Sequence, residues 1–429
     1  MKHTFLVILM IFQSTVAYSQ ASDGLADRSS ETSFALVGRD LSFGFVNMSQ
    51  SDEFTADGPS FGLGIAAKIG SVQNLPLYLE WNSTLLRGTD RSSNTMHQGI
   101  NPFVIAAGSA PVGTIDLMTS VDASGAFADA TTQITDSTSD TVTIITSAFS
   151  PSAPETAVSQ FALSQTVSGG AFAALSTNGE AGLAAAYGTI FDDTGFVFLG
   201  AGDEGGAAIR SSVTESVQYT NHSLLLSTGF PIDDHWTFTP KIGPMYRSFD
   251  RTSKSYTVVD INEGFELAPA VPDITLAERI SLDSTYFGVT LGATLTGKIQ
   301  DDWLFSIGAD AGIARFEAKA DSFENVTIAN TNTRIPGRRL TSDGTSGTGR
   351  ISAGLTHVRP GGAVISLGAF VDFMSDVPYV ATDTIAEPAV VVDGATVSIV
   401  GTGATYRTRA IREKELISSG IAFSFVMFF

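Results

Sequence analysis

The stretch Ile421-Ala422-Phe423-Ser424-Phe425-Val426-Met427-Phe428-Phe429 decides how the chain is read. Side chains of a β-strand alternate between two faces, so Ile421, Phe423, Phe425, Met427 and Phe429 share one face. In a soluble protein such a face needs a covering layer; in lipid it needs none. The same period of two recurs toward the N-terminus. At 363–373, Ile365, Leu367, Val371 and Phe373 oppose Ser366, Gly368 and Asp372. At 303–313, Trp303, Phe305, Ile307 and Ile313 oppose Ser306, Gly308, Asp310 and Gly312. The runs 287–298, 236–247, 77–86 and 61–70 repeat the scheme, each with one apolar face and one face of Gly, Ser and Thr with sparse charge.

Composition agrees. Charged residues are 16 % of the 429, against about 25 % in an average soluble domain. The formal net charge is −20 and the mean hydropathy is +0.18. Such acidity argues against nucleic-acid binding, which draws most of its affinity from a basic face. The chain has no Cys, which excludes disulfides, thiolate metal sites and Cys nucleophiles. Met1-Lys2-His3, the apolar run Phe5–Phe12 and the small residues Ala17, Ser19 and Ala21 have the order of a secretory signal peptide. The expected organisation is a leader at 1–21, a short periplasmic segment at 22–35, and a barrel over 36–429 with an insertion at 89–180.

The connections alternate in length. Tight ones fall at 72–76, 232–235, 300–302 and 359–362; long polar segments lie at 49–58, 250–282, 318–346 and 376–412. Within the last, residues 389–397 read as an Asp-Gly hairpin extending outward. A weak repeat links Asp192-Asp193, Asp233-Asp234 and Asp301-Asp302, each before a Phe- or Trp-bearing run. It makes 181–203 one more hairpin of the same kind and raises the count from ten strands to about twelve, within ten to fourteen. Segment 89–180, rich in Ala, Ser and Thr, is too long for a plain loop. It reads as a surface subdomain, a lumen plug or further strands at 101–120, with a short helix starting near Ser152–Glu155.

Alternation alone also fits a soluble sandwich. The sparse charge on the small-residue faces, the aromatics beside tight turns (Phe230, Trp236, Trp303) and the last strand favour an inside-out barrel. That last strand resembles the C-terminal signature of Gram-negative outer-membrane β-barrel proteins, a terminal Phe preceded by apolar residues at every second position. The resemblance is to a class and not to a functional family. It implies an all-β, antiparallel up-and-down transmembrane barrel with long outer loops, located in the cell outer membrane with both termini periplasmic. It also implies an assembly signal at Ile421, Phe423, Phe425, Met427 and Phe429 that the barrel-assembly machinery reads. The expected partners are that machinery, periplasmic chaperones and outer-membrane lipid including lipopolysaccharide. No nucleic acid is expected, and the oligomeric state stays open.

Parity places Lys68, Glu80, Lys241, Arg247, Lys298, Asp310, Arg350 and Asp372 inside. They either line an aqueous pore or pair across a narrow lumen and close it. Arg87, Arg91, Arg251, Lys254, Arg407, Arg409, Arg412 and Lys414 are basic residues of the outer rim that either meet lipid phosphates or are scattered solvated charge. Asp233-Asp234-His235 reads as turn chemistry, because Asp bonds nearby backbone in turns. His222-Ser223 looks like a fragment of a barrel lipid hydrolase but has no assignable carboxylate. Ser342–Gly349 lacks the Lys and the strand–loop–helix setting of a phosphate loop and reads as an outer loop. No catalytic, cofactor or metal site is expected. The leading function is a passive channel or transporter-like porin for small solutes. The alternative is a closed structural or adhesive barrel displaying surface loops, and the third reading is a barrel hydrolase.

Overall fold

The computed structural model describes residues 35–427 apart from breaks at 51–53, 98–101, 110–111, 123–124, 136–140, 151–157, 165–168, 178–181, 193–194, 204–207, 261–272, 301, 329–330, 360–362, 386–388, 402–404 and 406. The expected leader at 1–21, nearly all of the segment 22–35, and Phe429 lie outside the described residues. Among the described residues all regular structure is strand, and no helix is long and apolar enough to cross a membrane.

The first three strands are β1 (Ala35–Gln50), β2 (Phe54–Val72) and β3 (Leu75–His97). Eight short ones follow: β4 (Phe103–Gly108), β5 (Gly113–Asp122), β6 (Gly125–Thr135), β7 (Thr141–Ser150), β8 (Val158–Ser164), β9 (Gly169–Thr177), β10 (Gly182–Phe191) and β11 (Gly195–Asp203). Long strands then return with β12 (Ala208–Thr228), β14 (Trp236–Asp260), β15 (Ile274–Gln300), β16 (Trp303–Ile328), β18 (Leu340–Val358), β19 (Ala363–Thr384) and β22 (Arg407–Met427). Among these lie the short pieces β13 (Phe230–Pro231), β17 (Thr331–Pro336), β20 (Val390–Asp393) and β21 (Thr396–Gly401).

The long strands form a closed antiparallel ring of ten in the order β1-β2-β3-β12-β14-β15-β16-β18-β19-β22. The seam is β1 against β22, with Arg39 opposite Met427 and Gln50 opposite Leu416. Closure leaves no edge strand, which is the condition for a sheet to sit in hydrocarbon. The ring has ten strands, the lower end of the expected ten to fourteen and two fewer than the central count of twelve. The hairpin at 181–203 is β10–β11, which belongs to a separate sheet. What it shares with the barrel turns is local chemistry: Asp192 Oδ1 accepts from Gly195 N at 3.1 Å, as Asp233 Oδ1 accepts from Trp236 N at 2.8 Å.

One rim carries the short connections, including the Gln73-Asn74 turn with both residues at positive φ (52° and 69°), as in a type I′ hairpin. β1 begins and β22 ends at this rim. Most of the segments expected as long loops are strand instead. β14, β15 and β16 run through 250–260, 274–282 and 318–328, so the barrel wall rises far above its apolar belt. Ser342–Gly349 likewise lies within β18. Gly344 leaves room there for the ring of Phe316, which an added Cβ would meet at 2.7 Å.

β16 shows the organisation in one strand. From Trp303 to Ile313 the outward positions are Trp303, Phe305, Ile307, Ala309, Ala311 and Ile313, with Leu304, Ser306, Gly308, Asp310 and Gly312 inward. That run has the length of a tilted membrane strand, about 9–11 residues. Beyond it the outward residues are Arg315, Glu317, Lys319 and Asp321, all exposed, and the inward ones are Ala314, Phe316, Ala318 and Ala320, all buried. Phase is kept while polarity is exchanged. β14 and β15 change at the same height, since Tyr246 pairs with Phe287 and Phe287 with Arg315.

The residues between β3 and β12 build most of a β-sandwich. Its two sheets are β4-β11-β10-β9-β8 and β20-β21-β5-β6-β7, so the 390–401 hairpin contributes as well. That hairpin turns at Gly394 (φ +62°) and pairs β21 with β5 instead of projecting alone. Ile115, Leu117, Ile134, Val197, Leu199 and Ile399 pack between the sheets. The far face of the first sheet, with Phe172, Tyr187, Phe196 and Phe198, packs on Val259, Ile274 and Val326 at the tops of β14, β15 and β16. The insertion thus runs from the end of β3 at His97 to the start of β12 at Ala208, not over 89–180. The expected helix is replaced by β8 at Val158–Ser164; its proposed start at 152–157 lies outside the described residues.

Candidate functional site

The lumen is built in layers. Near the short-turn rim the inward face mixes hydroxyls with a small apolar cluster: Thr237, Thr239, Thr296, Ser306 and Ser424 are buried, the Thr356 and Ser366 hydroxyls meet at 3.1 Å, and Ala66, Val364 and Val426 pack together. Above this layer lies a charged row. Along the strand register, Lys241 on β14 faces Gly292, Gly292 faces Asp310, Asp310 faces Arg350 and Arg350 faces Asp372. Lys241 Nζ reaches Asp310 Oδ1 at 2.8 Å across the intervening strand. Gly292 makes the crossing possible, because a Cβ there would lie 1.9 Å from Asp310 Oδ1. Arg247 Nη1 lies 3.6 Å from Asp372 Oδ1, Ser227 Oγ donates to Glu80 Oε1, and the Arg350 guanidinium stacks 4.1 Å from the centre of the Phe370 ring.

Six of the eight charges placed inside by parity therefore meet in the lumen. Lys68 is half-buried toward the rim. Lys298 is exposed on the rim, where a register shift between Lys298 and Gln300 bends the end of β15. Sequence reasoning missed Asp40, half-buried at the inward Gly64–Asn82 position.

Over the charged row lies an apolar layer. Phe54, Met48, Phe249, Tyr286 and Phe316 are 6 % exposed or less, and the rings of Tyr286 and Phe316 pack at a tilt with centres 5.6 Å apart. Voids among the lumen side chains measure about 30 Å³ and 20 Å³, room for one or two water molecules. The signal for this layer is the alternation of Ala314, Phe316, Ala318 and Ala320 with charges, which starts just past the 303–313 run and continues into the stretch 318–346 read as a loop.

Above the apolar layer, β19 and β22 bend over the mouth. The bend is the register shift between Met374 and Val377, where Gly347 N donates to Ser375 Oγ at 2.9 Å and Asp376 N to Ser346 Oγ at 3.3 Å. Val377 and Tyr379 are buried beneath it, and Gln50 Nε2 donates to the Val377 carbonyl at 2.8 Å. Arg409 of this arm bonds Glu278, Glu324 and, at 2.9 Å, Ser322, on strands it does not adjoin in the sheet. Burial raises the Glu278 carboxyl above the ordinary glutamate value, opposed by Arg409. Arg251 bonds Glu215 through two nitrogens and lies 4.5 Å from the centre of the Phe54 ring. Arg251 and Arg409 are thus neither lipid-facing nor scattered solvated charge, because they lie on the inner face of the mouth. Arg412 pairs with Asp383 at 2.7 Å and Lys414 lies over Tyr379, whereas Arg87, Arg91 and Lys254 are exposed.

The nucleophile and turn motifs resolve simply. His222 faces outward between the rings of Trp81 (6.3 Å) and Tyr246 (6.1 Å), while Ser223 lines the lumen beside Arg247. Adjacent strand residues point to opposite faces, so the pair cannot act as a dyad. Asp233 Oδ1 accepts from His235 N at 2.7 Å and from Trp236 N, which fixes the turn. His357 is on the outward face of β18 against Trp303, ring centres 4.7 Å apart. Of the residues of the C-terminal motif, Phe423 and Phe425 are 50 % and 37 % exposed, alternating with buried Ser424 and Val426.

The arm, the sandwich and the barrel tops together enclose a cavity of about 520 Å³. Its walls come from β4 and β11, from β14, β15 and β16, from the Gly337-Arg338 link and from the start of β22.

No family model matches the chain, and no curated protein does. Among solved structures, the outer membrane protease OmpT from Escherichia coli matches at 7 % identity, over 93 % of this chain and 99 % of that one, with a TM-score of 0.29. The P. putida toluene transporter TodX matches at 9 % identity, over 91 % and 90 % of the two chains, with a TM-score of 0.22. A Pseudomonas aeruginosa FadL homologue gives 8 %, the same coverage and 0.19. Likenesses this loose say nothing of activity. The assignment to a closed barrel rests on the hydrogen-bonded ring itself.

Proposed function

We propose that the chain is an integral outer-membrane barrel with a sealed lumen, a pedestal that holds its β-sandwich outside the cell. The observation that carries this reading is the stacked filling of the interior. A paired charge row lies beneath buried Phe249, Tyr286 and Phe316, and a folded domain sits on the mouth. The apolar belt from Trp303 to Ile313 faces acyl chains, and the short-turn rim lies in the periplasm after removal of the leader at 1–21. The barrel-assembly machinery, periplasmic chaperones and lipid including lipopolysaccharide are its expected contacts. No catalytic step is assigned to it. The role at the surface is structural or adhesive, exercised through the sandwich.

Planar-bilayer recording of the purified full chain tests this against the passive-channel reading. The sealed barrel gives no discrete conductance steps in concentrated KCl. Steps whose ion selectivity changes in Lys241→Gln would overturn it and restore the channel.

A further inference from the structure

The cavity at the mouth has two kinds of wall. Ile105 and Phe196 from the sandwich and Leu276 and Val326 from the barrel form an apolar side. The other side carries Arg338, Arg407 and Arg409 against Glu278 and Glu324. Arg409 is held between the two glutamates, which leaves it little capacity for a ligand. Arg338 and Arg407 are both exposed at the opening, and among the described residues Arg338 forms no ion pair. Its neighbour Arg339 is turned away onto Asp321 at 3.1 Å. The volume of about 520 Å³ lies within the range of small-molecule sites, roughly 300–1,000 Å³.

We infer that this cavity binds a small amphiphile with one anionic head, a carboxylate or a phosphate monoester. The apolar body lies against Ile105, Phe196, Leu276 and Val326, and the head is held by Arg338 and Arg407. Two guanidinium groups at one opening suit a planar or tetrahedral oxyanion, since each offers a fork of donors. The Arg409–Glu278–Glu324 cluster has a separate role: it ties the arm to β15 and β16 and so keeps the wall in place. Because the cavity lies above the filled layers of the lumen, the inference does not depend on whether the barrel conducts.

The test is calorimetric titration of the full chain in a neutral detergent with 2-naphthoate and 2-naphthyl phosphate, with 2-naphthylmethanol and 2-naphthylmethylamine as neutral and cationic counterparts. At least one anionic probe is expected to saturate a single site. Its affinity should fall tenfold or more in Arg338→Gln/Arg407→Gln while the thermal transition stays in place. Leu276→Gln, a change to the apolar wall alone, should weaken the same probe. A preference of the phosphate over the naphthoate would assign the head as phosphate, and the reverse as carboxylate. Absence of saturable binding by both anions, equal binding of the amine, or undiminished binding in the double variant would overturn the inference.

Discussion

The two halves of β16 use the same alternation to opposite ends. Between Trp303 and Ile313 the outward face is apolar and the inward face carries Ser306 and Asp310; between Ala314 and Asp321 the outward face is charged and the inward face carries Phe316. The backbone does not slip, so the medium outside must change. Lipid around the lower half lets polar groups be enclosed with partners, whereas water around the upper half drives apolar groups inward as in any soluble protein. The sandwich extends the second regime: Ile115, Leu117 and Leu199 are fully or nearly fully buried between sheets. Period two identifies strands, and only the composition of each face says what surrounds them.

Substitutions on the inner face distinguish the halves most strongly. Lys241→Met leaves Asp310 buried without its 2.8 Å partner and should cost about 3–5 kcal/mol of unfolding free energy in lipid vesicles. Lys241→Met/Asp310→Leu should recover most of it, since an apolar pair of similar volume replaces two desolvated charges. In the upper half, Phe316→Ala should cost a similar 3–5 kcal/mol by leaving a cavity, with no second-site recovery from charge removal. A neutral Lys241→Met variant would break the comparison.

The outer faces come next. Ile307→Arg puts a charge in the belt and should cost about 2–4 kcal/mol in a bilayer, whereas Lys319→Ala on the same face higher up should stay within about 0.5 kcal/mol. Gly344→Ala, crowding Phe316, should cost about 1–3 kcal/mol by denaturant titration.

The smallest effect is the pH dependence of the arm. Glu278, the β15 partner of Arg409 on the arm, has a carboxyl raised by burial, so the folded protein holds that proton more tightly than the unfolded chain does. Protection of the arm should therefore fall as pH rises from the ordinary glutamate range toward neutrality, and Glu278→Gln should flatten the fall. Hydrogen exchange across Arg407–Lys414 at pH 5 and pH 7.5, corrected for intrinsic rates, checks the sign. A rise in protection with pH would contradict it.

Much of the barrel was legible in the sequence. Parity at 77–86, 236–247 and 303–313 assigned the faces that the fold displays, and it brought Glu80, Lys241, Arg247, Asp310, Arg350 and Asp372 to one interior. The strand count was not legible, because Asp192 and Asp233 make the same turn in two different sheets. Tyr187 and Leu199 show a second reason. They lie in a sheet buried on both faces, which erases alternation and reads as plain apolar chain. The upper wall was hidden because Arg315, Glu317, Lys319 and Asp321 look like a polar loop until Phe316 is set against them. The mouth cavity had no sequence signal, since its walls come from segments more than a hundred residues apart, such as Ile105 and Val326.

The absence of Cys allows the central claim to be tested on single-cysteine variants. Ile307→Cys and Glu317→Cys lie on the outward face of one strand, on either side of the polarity change. In liposomes, a membrane-impermeant maleimide should label Glu317→Cys rapidly and leave Ile307→Cys unmodified, while a lipid-borne nitroxide should broaden signals only near residue 307. Equal aqueous labelling at both positions would mean that no bilayer surrounds the lower half, and the inside-out barrel would be wrong.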